Sequence, residues 1–151
     1  MARSILAEAV LNNEGKNRFR AYSAGSYPKG TVNPYALALL KQLGLSTEGL
    51  RSKSWDEFAG PGAPAMDFIF TVCDAAAGEV CPVWPGQPFT AHWGMPDPAS
   101  VEGSDAVRMQ AFRETFRLLG NRIHTFAELP FDKLNRIRLK TRLDDIGRTQ
   151  D

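Results

Sequence analysis

The sequence predicts an α/β fold in which helices cover both faces of a small, mainly parallel sheet, giving a three-layer sandwich. Helical and extended patterns alternate along the 151 residues, an order typical of parallel sheets with crossover helices. Residues 66–72 form an apolar, β-branched and aromatic run with the composition of a buried strand. In such folds the functional residues gather beyond the carboxyl ends of the strands.

The composition is that of an ordinary globular protein, with 43% hydrophobic and 23% charged residues. The length favours a single domain, residues 1–151, in which residues 129–151 form a helical tail. A net charge of +1 argues against nucleic-acid binding, and no apolar run reaches the roughly 18 residues that a membrane span needs. Glu8 interrupts any signal-peptide core, and two cysteines make no secreted disulfide framework, so we expect a cytoplasmic protein.

The first half of the chain contains signals for two helices and a strand. The stripe of the first helix, predicted over residues 2–13, consists of Ile5, Leu6, Ala9 and Val10. Residues 19–23 alternate in polarity before a turn at Gly25, which predicts a strand. Asn33 and Pro34 are suited to begin a second helix, which Gly44 ends. Residues 51–58 read as a loop followed by a short helical turn.

The second half contains the buried strand, an aromatic hairpin-like passage and two helices. The stripe of the long helix, capped by residues 103–105, consists of Met109, Phe112, Phe116, Leu119, Ile123 and Phe126. The tail from Phe131 predicts a weaker, partly exposed helix that frays after Gly147, and its apolar residues are Leu134, Ile137 and Leu143.

The residues that suggest chemistry lie between the buried strand and the long helix. Cys73 ends the strand, Cys81 follows through a short Ala/Gly segment, and Asp97 lies in a Pro-Asp-Pro loop. Two free cysteines are most often small buried hydrophobic residues. Their position at one sheet edge, with a carboxylate downstream, instead indicates thiol redox chemistry.

Several short motifs together resemble one known family. They are Ala2-Arg3-Ser4, Tyr22-Ser23-Ala24-Gly25, Arg51-Ser52-Lys53-Ser54, Thr71-Val72-Cys73-Asp74, Cys81-Pro82 and the run from His92 to Pro98. With them the chain resembles the thiol-relay arsenate reductases of the low-molecular-weight tyrosine phosphatase fold, from its first residues to about Phe126. The resemblance implies an enzyme that reduces arsenate to arsenite.

The active site of that family is a Cys-x5-Arg-Ser loop between the first strand and the first helix, where backbone N–H groups cradle an oxyanion. Only Arg3 and Ser4 match it, because the position six residues before Arg3 precedes Met1. We therefore expect a chain truncated at its N-terminus that lacks the nucleophilic cysteine, the central first strand and most of the phosphate-binding loop. As written, it is expected to fold poorly and to be inactive. The alternative is a degenerate relative.

The resemblance also implies a role for each remaining site residue. Arg3 would hold the arsenate or phosphate-like oxyanion, and Ser4 would donate to the nucleophilic thiolate. Asp97 would act as general acid on the departing oxygen. Cys73 would attack the arsenic-bearing cysteine, and Cys81 would take over the resulting disulfide and present it to an external reductant.

The electron donor implied by the family is thioredoxin, or a glutaredoxin with glutathione, and no tightly bound cofactor or metal is expected. The sequence leaves the choice open, because the Cys-x7-Cys spacing is one residue longer than in many relatives and Ala75 replaces a frequent asparagine. His92 and Trp93 are interpreted as packing and hydrogen-bonding residues.

Two other functions stay open at this point. Phosphotyrosine hydrolysis on the same fold would need only the nucleophile, Arg3 and Asp97, and would be indifferent to Cys73 and Cys81. It fits less well with Ala99, since many such phosphatases place an aromatic residue there. The third possibility is a non-catalytic remnant that binds an oxyanion or a partner chain.

Overall fold

The computed structural model describes residues 2–15, 18–25, 31–58, 62–72 and 88–149. The helices and strands in these ranges are α1 (Ala2–Glu14), α2 (Pro34–Gln42), β1 (Phe68–Thr71), β2 (Phe89–His92), α3 (Asp105–Ala127) and α4 (Arg136–Gly147). Short 3₁₀ turns lie at Trp55–Phe58, Pro98–Ser100 and Phe131–Lys133. No helix in the described ranges is long and apolar enough to cross a membrane.

The two strands confirm the predicted α/β class with a small parallel sheet. β1 and β2 pair in parallel, with Phe68 opposite Phe89 and Phe70 opposite Ala91. The hairpin-like passage predicted between Cys81 and Asp97 is described only from residue 88 onward, where β2 pairs in parallel with β1. Its first part lies outside the described residues, so the hairpin stays a prediction.

The strand predicted over residues 19–23 is wrong. Among the described residues 18–25, only Gly25 forms a bridge, in parallel with Ser54. The Asn12 side chain of α1 takes the place of a strand neighbour: it accepts from the Ala21 N–H at 2.8 Å and donates to the Ala21 carbonyl at 3.1 Å. An amide side chain has both groups needed for this exchange. The alternating pattern of residues 19–23 therefore corresponds to a segment that is hydrogen-bonded to α1 and not to a strand.

The predicted helices of the first half and the long helix are confirmed, and their starts follow from side-chain capping. The Asn33 side chain accepts from the Tyr35 N–H at 2.9 Å at the start of α2. Ser104 accepts from the Val107 N–H at 3.3 Å at the start of α3. Both caps satisfy N–H groups that have no partner within the helix. Gly44, just beyond α2, has φ +75°, a conformation that favours glycine.

Two buried clusters form the core. The first core cluster consists of Leu6, Ala9, Ala36, Leu39, Leu40, Met95, Phe112 and Leu119. The second core cluster consists of Val10, Ala91, Trp93, Ile123, Phe126, Leu139, Leu143 and Ile146. Ala7 and Phe116 pack against both clusters. Since α1 and α3 contribute to each, these two helices connect the sheet to the rest of the molecule.

The helix predicted in the tail is present as α4, but its buried face differs from the prediction. Leu143 is buried as expected, whereas Ile137 is 80% exposed. The buried face is completed by Leu139 and Ile146. These residues follow the three- and four-residue steps of one helical face, on which residue 137 does not lie. The tail is thus part of the second core cluster.

Candidate functional site

Arg3 lies in the first turn of α1, where its side chain reaches the loop after β2. Its Nη1 donates to the Met95 carbonyl at 2.7 Å. Its Nη2 lies 3.8 Å from Oδ2 of Asp97. The Arg3 side chain is 15% exposed. The structure therefore brings together two of the residues singled out in the sequence, from positions far apart in the chain.

Asp97 is held by the turn that follows it. Its Oδ1 accepts from the Ala99 N–H at 2.9 Å, and its carbonyl accepts from the Ser100 hydroxyl at 2.7 Å. The flanking residues Pro96 and Pro98 restrict the backbone on either side. With Oδ1 engaged, Oδ2 is the oxygen that faces Arg3. The side chain is 43% exposed, which leaves the carboxylate accessible from solvent.

The remaining predicted site residues are located only in part. Ser4 follows Arg3 in α1 and is half-buried. Cys73 and Cys81 lie outside the described residues, so the predicted relay stays a prediction. β1 ends at Thr71, and the next residue, Val72, packs against the first core cluster.

His92 and Trp93 have the packing and hydrogen-bonding contacts that were expected of them. His92 Nδ1 shares a hydrogen bond of 2.7 Å with the Thr71 hydroxyl across the sheet. Trp93 is buried, stacks on Phe70 with ring centroids 3.9 Å apart, and donates its indole N–H to the Leu143 carbonyl at 2.9 Å. These contacts fix the position of the chain at the end of β2, where the loop that contains Asp97 begins.

Arg122 is a site residue that the sequence interpretation missed. It lies in the C-terminal third of α3 and is 2% exposed. Its Nη1 donates to the carbonyls of Trp93 at 3.0 Å and Gly94 at 3.4 Å, and its Nη2 to the Thr149 carbonyl at 2.8 Å. Burial lowers the pKa of its guanidinium below the usual arginine value. The helical period could have identified it, because Arg122 lies three residues after Leu119, on the buried stripe.

A second missed feature is a buried ion pair beneath α1. Glu8 Oε1 accepts from the Ser23 hydroxyl at 2.8 Å and lies 3.5 Å from Lys53 Nζ. Lys53 also donates to the Arg51 carbonyl at 3.2 Å. The two charged side chains are 9% and 5% exposed. The pair joins α1 to two motifs that the sequence had singled out only by resemblance.

The described residues offer no obvious place for a metal ion. In the described ranges, no three His, Cys, Asp or Glu side chains lie close enough together to hold one. What the site presents is a half-exposed carboxylate beside an arginine fork, a pair suited to holding an anion and moving a proton.

The chain is similar to known proteins over most of its length. Residues 1–139 match the low molecular weight phosphotyrosine protein phosphatase family. An arsenate reductase of Halalkalibacterium halodurans is 36% identical over 126 residues, covering 83% of this chain and 87% of that protein. An arsenate reductase of Bacillus subtilis is 31% identical over 126 residues, with the same shares of both chains.

Solved structures show the same fold. An arsenate reductase in its reduced state superposes with a TM-score of 0.61 at 20% identity, covering 82% of this chain and 86% of that one. A thioredoxin-dependent arsenate reductase of Corynebacterium glutamicum gives a TM-score of 0.53 at 23% identity, covering 81% of this chain and 56% of that one. These likenesses support the predicted three-layer α/β arrangement.

Proposed function

The chain belongs to the low molecular weight phosphotyrosine protein phosphatase family, and from this membership we propose that it reduces arsenate to arsenite by a cysteine relay. Relatives that are 36% and 31% identical over most of both chains are named arsenate reductases, which supports the substrate. That similarity carries the choice of arsenate, and the contact of Arg3 with Asp97, 3.8 Å between Nη2 and Oδ2, supplies the site.

That contact is too long to be a direct hydrogen bond. A direct charge-assisted hydrogen bond spans about 2.7–2.9 Å, whereas Arg3 Nη2 and Asp97 Oδ2 lie 3.8 Å apart. Asp97 therefore does not saturate this donor, which can turn to an arsenate oxygen. The other arm of the fork is held by the Met95 carbonyl at 2.7 Å, so the guanidinium needs little reordering when the anion binds.

The proposed relay moves two electrons from thiols to arsenic. A cysteine thiolate attacks arsenic, and the protonated Asp97 carboxyl gives its proton to the departing oxygen, which leaves as water. The Cys73 thiolate then attacks the sulfur bonded to arsenic. The sulfur–arsenic bond breaks, its electron pair stays on arsenic, and arsenite leaves. This step leaves a disulfide between the first cysteine and Cys73. The Cys81 thiolate attacks the Cys73 sulfur, the first cysteine leaves as a thiolate, and an external dithiol reduces the resulting Cys73–Cys81 disulfide.

We propose thioredoxin as that dithiol, with glutaredoxin and glutathione as the competing donor. The name of the Corynebacterium glutamicum structure, thioredoxin-dependent arsenate reductase, supports this choice. The electron donor has to reduce a disulfide between two cysteines in Cys-x7-Cys spacing, Cys73 and Cys81. Parallel assays with each donor system separate them.

The test of the relay is arsenate-dependent oxidation of the donor. The assay compares the unsubstituted enzyme, in a form that turns over arsenate, with its cysteine variants. Cys73→Ser and Cys81→Ser should each abolish turnover, because the Cys73–Cys81 disulfide cannot form when either cysteine is replaced. The control is Ala106→Ser, at an exposed position of α3. Turnover that survives either cysteine substitution contradicts the relay.

The acid role of Asp97 has its own test. Asp97→Asn keeps the shape of the side chain and its acceptor for the Ala99 N–H, but it has no proton to give. We expect kcat to fall by roughly 10²- to 10⁴-fold, the usual contribution of a general acid, with little change in KM. Asp132→Asn, an exposed carboxylate in the turn before α4, is the matched control. An unchanged kcat would assign the proton to another group.

Phosphotyrosine hydrolysis is the second candidate, favoured by the family description and by the same Arg3–Asp97 contact. It requires a cysteine nucleophile, an arginine and an acid, and no relay. Hydrolysis of an aryl phosphate that persists in Cys73→Ser and Cys81→Ser, without arsenate turnover, identifies this activity. If Cys73→Ser and Cys81→Ser lose both aryl phosphate hydrolysis and arsenate turnover, phosphotyrosine hydrolysis is not supported.

A further inference from the structure

Arg122 is a buried cation whose partners, in the part of the chain that the structure describes, are backbone carbonyls. It reaches the carbonyls of residues 93 and 94 with one nitrogen and the Thr149 carbonyl with the other. Its Nε is buried without a partner there, and it forms no ion pair with a described carboxylate. Burying a charge without an opposite charge is costly, so simple packing does not account for an arginine at this position.

The carbonyls that Arg122 holds belong to the segment between β2 and Asp97. The carbonyl oxygens of residues 93 and 94 accept hydrogen bonds from Arg122, and the next carbonyl, that of Met95, accepts from Arg3. Two arginines from two helices thus hold successive carbonyls of one loop. Asp97 follows two residues later and faces the same Arg3.

The C-terminal end of α4 closes the other side of this segment. A Cβ at Gly147 would lie 2.5 Å from the His92 carbonyl oxygen and 2.6 Å from Trp93 Cδ1. Glycine is therefore required for this close approach. The Thr149 carbonyl, just beyond α4, accepts from Arg122 at 2.8 Å. The segment after β2 is clamped between Arg122 and the end of α4.

We propose that Arg122 is a positioning residue for Asp97, setting the path of residues 93–95 so that the Asp97 carboxylate faces Arg3. The proposal rests on the proposed function of Asp97 as general acid. Arg122 touches no reacting atom and acts only through the loop. A lysine cannot replace it, because one ammonium nitrogen does not span carbonyls on both sides as a planar fork does.

The test is arsenate turnover of Arg122→Lys and Arg122→Gln in the enzyme form that is active in the assay above. We expect kcat to fall about 10-fold or more, part of the general-acid contribution, with KM changed less than kcat. Arg117→Lys, an exposed arginine of the same helix paired with Glu114, is the control and should match the unsubstituted enzyme. A kcat equal to that of the control overturns the proposal.

A double-mutant cycle separates positioning from general loss of structure. In the Asp97→Asn background, Arg122→Lys should cause little further loss of kcat, because there is no proton donor left to position. A merely structural role would lower kcat by the same factor in both backgrounds. Equal factors therefore overturn the proposal.

Crystal structures give a readout that does not depend on arsenate chemistry. In Arg122→Lys, Oδ2 of Asp97 should move beyond the roughly 4 Å limit of an ion pair with Arg3 Nη2. If the unsubstituted enzyme does not reduce arsenate, the proposed function fails, and the crystal structures alone then test the positioning role. An Arg3–Asp97 contact that is retained in Arg122→Lys overturns that role. If no Arg122 variant folds, Gly147→Ala displaces the same segment from its other side, and an undisturbed Arg3–Asp97 contact overturns the proposal.

Discussion

At the scale of single residues, charge and burial together identify charged side chains that have a structural or functional role and are not simply solvated at the surface. The Arg3 side chain is 15% exposed and that of Asp97 43%, and the two contact each other loosely, as groups that exchange partners with a substrate would. Arg122 and the Glu8–Lys53 pair are buried, so their charges depend on fixed partners. Arg3 and Asp97 are found by motif, and Arg122 could be found from the helical period of α3. The Glu8–Lys53 pair becomes visible only when burial is known.

The buried pair makes a prediction about stability. Lys53→Met leaves the Glu8 carboxylate buried without its cation, and we expect the free energy of unfolding to fall by about 3–5 kcal/mol. The double substitution Glu8→Gln with Lys53→Met should recover much of this loss, because no uncompensated charge remains. Urea unfolding measures both.

The control for that experiment is an exposed pair. Glu114 and Arg117 lie 3.3 Å apart on α3, with side chains 58% and 51% exposed. Glu114→Gln should change the free energy of unfolding by about 1 kcal/mol at most. An equally small effect of Lys53→Met would show that water compensates Glu8 and that the pair is not buried in solution.

At the scale of elements, local signals predicted what local forces determine. The starts of α2 and α3 follow from Asn33 and Ser104, whose capping bonds reach only a few residues along the chain. The strand at residues 19–23 could not be corrected from the sequence, since the bonds that replace it come from Asn12 in α1. The contact of Arg3 with Asp97 was predictable only through resemblance, because nothing local brings the two residues together.

The tail helix provides a prediction that tests its corrected face. Leu143 is fully buried and Ile137 is 80% exposed. Leu143→Ala should lower the free energy of unfolding by about 2–5 kcal/mol through lost burial and a cavity, whereas Ile137→Ala should change it by less than about 0.5 kcal/mol. Thermal unfolding compares the two variants. Equal losses would mean that α4 packs through the face originally predicted.

The link between α2 and α3 makes a prediction about pH. The Tyr35 hydroxyl donates to Asp105 at 2.6 Å, and this hydrogen bond, with burial and the carboxylate charge, raises the pKa of the phenol. A raised folded-state pKa gives stability that is complete below the usual value of about 10 and is lost as the pH rises through the folded-state pKa.

Asp105→Asn removes the carboxylate and should lower the pKa of Tyr35. The measurement is the ultraviolet absorbance of the phenolate during an alkaline titration, with Tyr35→Phe subtracted to isolate this residue. Asp132→Asn, a carboxylate of the turn before α4, is the control. A Tyr35 titration that does not move in Asp105→Asn would mean that the hydrogen bond is absent in solution.

At the scale of the whole molecule, stability depends on how the two core clusters are joined. Ala7 of α1 and Phe116 of α3 pack against both clusters, and the aromatic ring supplies the larger contact. Proteins unfold in one step when their parts share enough buried surface. Phe116 is therefore the side chain on which cooperativity between the clusters most depends.

Phe116→Ala should weaken both clusters and separate their unfolding. Because Phe116 is half-buried, the loss should be below the roughly 3–5 kcal/mol of a fully buried Phe→Ala. Native-state hydrogen exchange follows the amides of Leu40 in the first cluster and Leu143 in the second. Their opening free energies should agree in the unsubstituted chain and diverge in Phe116→Ala, but not in Val107→Ala, at a half-exposed position of α3. If the two opening free energies agree in all three proteins, other contacts couple the clusters. If the unsubstituted chain shows no cooperative unfolding transition, the result favours the prediction from sequence that the chain as written folds poorly.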